Sequence, residues 1–570
     1  MSMFADRFLR KCLLGITIVC LFGLTEPVSA QEVTADRLRN ADNEPENWLV
    51  YGGTYRSRRY SQLDQVNVNN VHTLKAAWAF QAGVLAHGLQ STPLVADGIM
   101  YLATSGHRIY ALDATNGREI WSYIYEHEAP PPGGGRRPVE TVRGLALGHG
   151  NLYFGTDDNY VVAVDVETGE ETWRTLVEDR AEFGCYMRAA PLLVNDVVVV
   201  GSRGGDQAHR GHIVAFDATT GEQRWWFNII PGPGEEGNET WAGDSWKYGG
   251  GAAWMTGSYD PELDLIYWGT GNASSNFYGG HRAGANLYTN SIVALNAVTG
   301  KIVWHFQTIP HDVWDFDSAY EAILADVSVD GKPRKLLIHP DKNGYVYILD
   351  RTNGEYLSGW KYVDTLTWTS GLDARGVPQG RLEPKLDYPT VICPNYFGSR
   401  SWNQASFSPH SGLLYNIGIE WCGEFMAREH EVEQGDSWLG GSIKMLPSPS
   451  GEVLSHLDAF DPITGERLWS HDTKHPLLSA LVSTAGGLVF AGDPEGNFFA
   501  LNGQTGDKLW SFQTGSGHRG GAISYAVDGK QYIATPSGWG SSMANMVAQF
   551  FPELQGARQG ATVFAFTLPD

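Results

Sequence analysis

Short apolar runs alternate with polar turns along most of the chain, and one pattern recurs. It reads "ALDATNGREIW" from Ala111, "AVDVETGEETW" from Ala163, "AFDATTGEQRW" from Ala215, "ALNAVTGKIVW" from Ala294, "AFDPITGERLW" from Ala459 and "ALNGQTGDKLW" from Ala500. Each copy reads as an alternating apolar strand, a turn closed by Thr-Gly or Asn-Gly, and a second strand ending in tryptophan, which describes a β-hairpin. A further copy, "YILDRTNGEYL" from Tyr347, keeps the acid and the turn but lacks the tryptophan. Upstream of most copies stands another strand pair, as in "STPLVADGIMYLATSGHRIY", with Asp-Gly at its turn.

The repeated acid or amide falls at positions 113, 165, 217, 296, 350, 461 and 502, and the wide interval between 350 and 461 implies one degenerate unit inside it. About four strands per unit and roughly eight units predict an all-β chain, an eight-bladed β-propeller in which the repeated tryptophans staple neighbouring blades. The 570 residues would otherwise suggest several domains; the repeat makes residues 31–570 a single one. Three insertions, residues 226–262, 355–410 and 422–450, are rich in glycine, proline and aromatic residues. They are predicted to be loops, and loops on such a scaffold carry the site.

The N-terminus adds a location. A basic patch (Arg7, Arg10, Lys11), an apolar run from Cys12 to Thr25 and "VSA" before Gln31 form a secretory signal peptide, residues 1–30, cleaved after Ala30. The expected compartment is the periplasm, and no later segment is long and apolar enough to span a membrane. The formal charge of −23 becomes −24 once residues 1–30 are removed, which argues against binding nucleic acid or anionic lipid through bulk charge. Three cysteines then remain; Cys393 and Cys422 can bridge a loop of moderate length in an oxidising compartment, leaving Cys185 as the odd thiol. No CxxCH occurs, which excludes a covalently attached c-type haem.

The candidate chemistry centres on "PHDVWDFDSAY", Pro310 to Tyr320. In an extended segment, alternation puts Asp315 and Asp317 on one face and Trp314 and Phe316 on the other. Two neighbouring carboxylates resist joint ionisation unless a cation sits with them. His311 and His209 read as structural.

From "NWLVYGG" at Asn47 to "GWG" at Gly538–Gly540 the chain resembles the quinoprotein alcohol dehydrogenases of the methanol/ethanol type, which use pyrroloquinoline quinone (PQQ). The family lays PQQ on the tryptophan of "GGGxxW", here Trp254 of "GGGAAW", and takes a metal-binding Asn from "GTGN", here Asn272. The Asp of "HDxWD" is its catalytic carboxylate, which implies Asp315. The resemblance further implies cofactor contacts from Arg143 in "VRGLALG", Thr156 in "GTDD", Lys342 in "PDKNG", and Gly204 and Gly205 in "GSRGGDQAHRG". It also implies a Cys393–Cys422 disulfide.

The chain departs from the family in several places. A metal-ligating Glu is replaced by Asp206, one methylene shorter; Gln90 stands where a Glu often faces a PQQ carboxylate; Ser401 replaces a common Asn. The adjacent-cysteine disulfide that often covers the quinone is missing, with "RRPVETVRG" around Arg137 and Pro138 in its place. Asp206, Asn272 and Asp315 offer oxygen ligands suited to Ca2+. Asp317 stands two residues after the catalytic Asp, as in lanthanide-using members, so Ca2+ and a lanthanide ion both remain open. The resemblance implies oxidation of an alcohol to an aldehyde or ketone, with electrons passed to a soluble cytochrome c or another periplasmic acceptor. The alternatives are a non-catalytic propeller scaffold of envelope protein assembly, which would not need the site acids, and a degenerate quinoprotein with weak turnover.

Overall fold

The computed structural model describes residues 32–83, 85, 87–127, 141–329, 331–431, 434–556 and 559–569. The expected signal peptide, residues 1–30, and the departures at Arg137 and Pro138 lie outside them. Among the described residues the chain is all-β in its architecture, with eight sheets of four or more strands and one separate two-stranded sheet. Seven of the eight each contain one copy of the repeat. The first runs through Leu94–Ala96, Ile99–Thr104, Arg108–Asp113 and Glu119–Ile124, each strand pairing antiparallel with the next.

The eighth sheet is not inside the 350–461 interval, where a degenerate unit was expected. It joins the two ends of the chain: Ile523–Val527, Lys530–Ser537 and Ala561–Thr567 are completed by Lys75–Gly83, which pairs antiparallel with Ala561–Thr567. A sheet assembled from strands hundreds of residues apart leaves no hairpin signature. The long interval instead holds residues 362–405 and a hairpin in which the far half of Leu413–Ala427 pairs with Gly441–Pro447. The insertion predicted as loop over 422–450 is therefore partly strand, and Cys422 sits in it, bonded to Cys393.

Within a sheet, burial changes from strand to strand. Ile99–Thr104 is buried at every position, whereas Glu119–Ile124 has only exposed and half-buried positions. A strand covered on both faces by neighbouring sheets needs no polar side, so its apolar run is continuous rather than alternating. The repeat tryptophans cross between sheets. Trp121 donates its indole N–H to the Val166 carbonyl (3.0 Å), Trp173 to Ala218 (3.1 Å), Trp225 to Ala297 (3.1 Å), Trp469 to Gly503 (3.0 Å) and Trp510 to Leu74 (3.1 Å). The copy that lacks its tryptophan is served by Trp360, three residues further on, which donates to Pro462 (3.2 Å). Each such bond contributes about 1 kcal/mol net, beyond the burial of the ring. The turn glycine in the receiving sheet is required on two counts. At Gly169, φ is +74°, and a Cβ would come within 2.7 Å of the Trp121 ring.

One buried cluster outside the site region makes stability depend on pH. His456, in Leu454–Phe460, lies with Nδ1 2.7 Å from Asp458 and Nε2 3.4 Å from Glu420. Burial alone would lower its pKa, but the hydrogen bonds to Asp458 and Glu420 outweigh this and push it up to about 9. A folded pKa above the ordinary value of 6.5 stabilises the fold fully below pH 6.5, and the gain is lost as pH rises through 9. The contribution is on the order of 3 kcal/mol. Thermal unfolding of His456→Gln should therefore show a clear deficit at pH 6 that narrows by pH 10; a deficit independent of pH would contradict the assignment.

Candidate active site

Residues 310–320 are irregular rather than extended. Asp315 adopts φ +66°, in the left-handed region, where Asp is among the few tolerated side chains. The buried Asp312 carboxylate holds this turn by accepting from the amides of Trp314 (3.3 Å), Asp315 (3.1 Å) and Phe316 (3.3 Å). Burial pushes the Asp312 carboxyl up to about 6, although Arg282 and these amides oppose the rise. The division of faces expected from alternation still results, by a different backbone. Trp314 and Phe316 stack at 6.0 Å and meet Trp368 edge-on, while Asp315 and Asp317 converge on the other side.

The cation found between these two acids is the Lys342 ammonium. Nζ lies 2.7 Å from Asp317 Oδ2 and 3.7 Å from Asp315 Oδ2. Asp317 accepts two more hydrogen bonds at Oδ1, from the Trp254 indole N–H (2.9 Å) and the Asn272 backbone N–H (3.2 Å). One carboxylate thus links the Trp254 indole, the Asn272 backbone and the Lys342 ammonium. Gly271 makes the approach possible, since a Cβ there would stand 2.6 Å from Asp317 Oδ1.

Asp315 is placed differently. It is buried, its carboxyl is raised well above the usual carboxylate range by desolvation, Lys342 opposes the rise, and Asp317, Asp206 and Asp312 add to it. The half-buried Asp206 follows Gly204 and Gly205 and accepts from Asn276 Nδ2 (2.8 Å). The Asn272 amide oxygen points at Gly205, where a Cβ would stand 2.9 Å from it.

Beside Trp254 lies a group of arginines. Arg143 donates to the Trp254 carbonyl (3.3 Å), and its guanidinium lies 5.1 Å from the Trp254 ring and 4.1 Å from Trp402. Arg519 lies 5.4 Å from the same Trp402 ring. Burial, then the charge of Arg203, lowers the Arg143 pKa well below its ordinary value. Gln90 and Thr156 belong to neighbouring segments: Thr92 N–H donates to the Arg143 carbonyl, Arg143 N–H to Arg188, and Met187 N–H to Thr156. Their side chains are engaged locally, Gln90 Nε2 donating to the His87 carbonyl (3.1 Å) and Thr156 Oγ1 to Asp158.

Two kinds of group fit this arrangement. Asp206, Asn272, Asp315 and Asp317 offer only oxygen donors, the set a hard cation takes. Arg143 Nε, Arg203 Nη1, Arg519 Nε and Ser401 Oγ are buried without a hydrogen-bond partner, and mutually repelling guanidiniums beside a flat indole suit a planar polyanion. Sequence reasoning missed Asn276, Arg203, Arg519 and Trp402. Asn276 lies four residues beyond Asn272 in the same loop and could have been found there; a lone buried arginine such as Arg519 leaves no such mark.

Comparison with known proteins supplies the context. The chain matches the PQQ family model described as "Glucose/ethanol/alcohol dehydrogenase, beta-propeller domain" over residues 48–364 and 471–533. It is 35% identical to the quinoprotein alcohol dehydrogenase PedH of Pseudomonas putida, across 98% of this chain and 97% of that protein. It is 33% identical to the lanthanide-dependent methanol dehydrogenase of Methylacidiphilum fumariolicum, across 94% and 92%. Among solved structures, a europium-containing methanol dehydrogenase superposes with a TM-score of 0.87 at 31% identity, covering 94% of this chain and all of that one. The acids around Lys342 and the arginines beside Trp254 are thus set on a β-propeller, and the chain belongs to the PQQ-dependent alcohol dehydrogenase family.

Proposed function

We propose that this protein is a periplasmic enzyme that oxidises an alcohol to an aldehyde or ketone with PQQ and an oxygen-ligated metal ion, and hands the electrons to a separate acceptor such as a soluble cytochrome c. The observation that carries the reading is the convergence of Asp315, Asp317, Asn272 and Lys342 beside Trp254. When bound, PQQ supplies the quinone that takes up the two electrons, and the metal, Ca2+ or a lanthanide, supplies a Lewis acid.

The chain's own residues do the rest. Trp254 offers the flat floor, held in orientation by Asp317 and by Arg143. Arg143, with the charges of Arg203 and Arg519 near it, receives carboxylates. Gln90, Thr156, Gly204 and Gly205 line the same region. Asp206, Asn272, Asp315 and Asp317 hold the metal, and Asp315 accepts the hydroxyl proton of the alcohol. Asn276 braces the shortened Asp206 through its hydrogen bond. Residues 1–30 support export, and among the described residues no helix is long and apolar enough to cross a membrane. In this reading residues 31–570 form one domain, the eight sheets are its eight blades, and the inter-sheet tryptophans dock them.

Dye-linked oxidation by purified apo-protein tests the proposal, with PQQ and either Ca2+ or La3+ over a panel of primary and secondary alcohols. Activity that requires both PQQ and a metal supports it. Silence across the whole panel with both ions would leave a non-catalytic or degenerate propeller.

A further inference from the structure

A second cluster of ligand-bearing side chains lies outside the oxygen-rich site. Glu178 follows the strand Glu171–Leu176, Cys185 follows the short helix Arg180–Phe183, and His209 and His212 lie on the segment that leads into His212–Asp217. One ligand atom from each of Glu178, Cys185 and His209 falls within 4.8 Å of the other two. Glu178 Oε2 is 3.4 Å from Cys185 Sγ, 3.4 Å from His209 Nε2 and 3.5 Å from His212 Nδ1. In a tetrahedral zinc site, with bonds of about 2.0 Å to nitrogen and oxygen and about 2.3 Å to sulfur, ligand–ligand edges come to about 3.3–3.5 Å. The Glu178 oxygen thus stands at edge distance from three candidate ligands.

The surroundings are those of a metal site. Cys185, His209 and His212 are buried, and His212 Nδ1, the atom facing Glu178, has no hydrogen-bond partner. The His212 ring is fixed by stacking on Trp226 at 4.0 Å. Asn159 Nδ2 donates to Cys185 Sγ at 3.1 Å, the outer-shell contact that steadies a ligating sulfur. Charge balances as well: one thiolate, one carboxylate and two neutral imidazoles neutralise a divalent ion, so the buried site carries no net charge. Thiolate and imidazole select zinc over the hard cations that suit the all-oxygen set.

We propose that Glu178, Cys185 and His209, with His212 closing the shell, bind one Zn2+ that ties residues 178–185 to residues 203–212. Asp206 lies three residues before His209 on that segment, so the ion is a staple behind the wall of the active site. Binding replaces the Cys185 thiol proton with the metal and releases it to solvent. Cys185 and His209, read from sequence as an odd thiol and a structural histidine, become ligands in one site.

The test uses the full-length protein, stripped with a chelator and given Zn2+ alone. Elemental analysis after gel filtration is expected to return one Zn2+ per chain, and X-ray absorption at the zinc edge a single sulfur at about 2.3 Å with nitrogen and oxygen at about 2.0 Å. Cys185→Ser should remove the sulfur shell, and His209→Ala should lower zinc affinity at least tenfold. A first shell of nitrogen and oxygen only in the wild type overturns the proposal and does not depend on either variant folding. So does a sub-stoichiometric zinc content, or zinc retained equally by Cys185→Ser, His209→Ala and the wild type.

Discussion

Asp315→Asn is expected to lose roughly 10²–10⁴-fold in kcat, the contribution of a positioned general base. The substitution removes the proton acceptor and one negative charge beside Lys342, and leaves the turn in place. Asn is close to Asp in shape and is also tolerated at the φ of +66° found here, and the amides that fix the turn are held by Asp312 rather than by Asp315. Steady-state kinetics at saturating PQQ and metal check it, with metal affinity measured in parallel by calorimetry because Asp315 is also assigned to the metal. A kcat within about fivefold of wild type, in protein that still binds metal, would remove Asp315 from the role of base.

Asp317→Ala should produce the second large effect, and one that differs between ions. The wild-type carboxylate accepts from Trp254, Asn272 and Lys342. Its removal takes away the acceptor of the indole N–H, leaves a backbone N–H unpaired, and leaves Lys342 with Asp315, 3.7 Å away, as its remaining carboxylate. Breaking a buried ion pair costs about 3–5 kcal/mol, so a lowered melting temperature is expected as well. A trivalent ion depends more on each negative ligand than a divalent one. Activity supported by La3+ is therefore expected to vanish, while activity supported by Ca2+ falls by about 10–100-fold, the scale of an outer-shell ligand partner. Equal loss with both ions would mean that Asp317 acts by orienting Trp254 and Lys342 and does not itself contact the ion. Asp317→Asn separates the two roles: it keeps an oxygen to accept from Trp254 while removing the charge.

Much of this protein was legible in its linear order, where the information was local. Six tryptophan-ended hairpins follow from apolar runs and Thr-Gly or Asn-Gly turns, because hairpin geometry depends on a handful of adjacent residues. The short strings that carry Trp254, Asn272 and Asp315 were likewise legible as candidates. Other features depended on strands and side chains far apart in the chain. The eighth sheet, expected between residues 350 and 461, lies elsewhere because Lys75–Gly83 meets Ala561–Thr567 only once the structure closes. Trp360 replaced a missing repeat tryptophan from three residues away, since what matters is where the ring arrives, not its place in the motif.

In the site, alternation correctly separated Asp315 and Asp317 from Trp314 and Phe316, but for the wrong backbone: a turn held by Asp312 does what an extended strand was expected to do. That Asp317 would tie Trp254 to Lys342 had no signature, because the three stand in separate segments and their hydrogen bonds exist only after packing. The same holds for the unpartnered Nε atoms of Arg143 and Arg519 and for the gathering of Glu178, Cys185 and His209. Residue order alone determined the repeating hairpins and the types of group available for chemistry. Tertiary structure decided which of those groups meet, because distance and burial, which set the strength of every charge and hydrogen bond in the site, arise only when segments remote in the chain are pressed together.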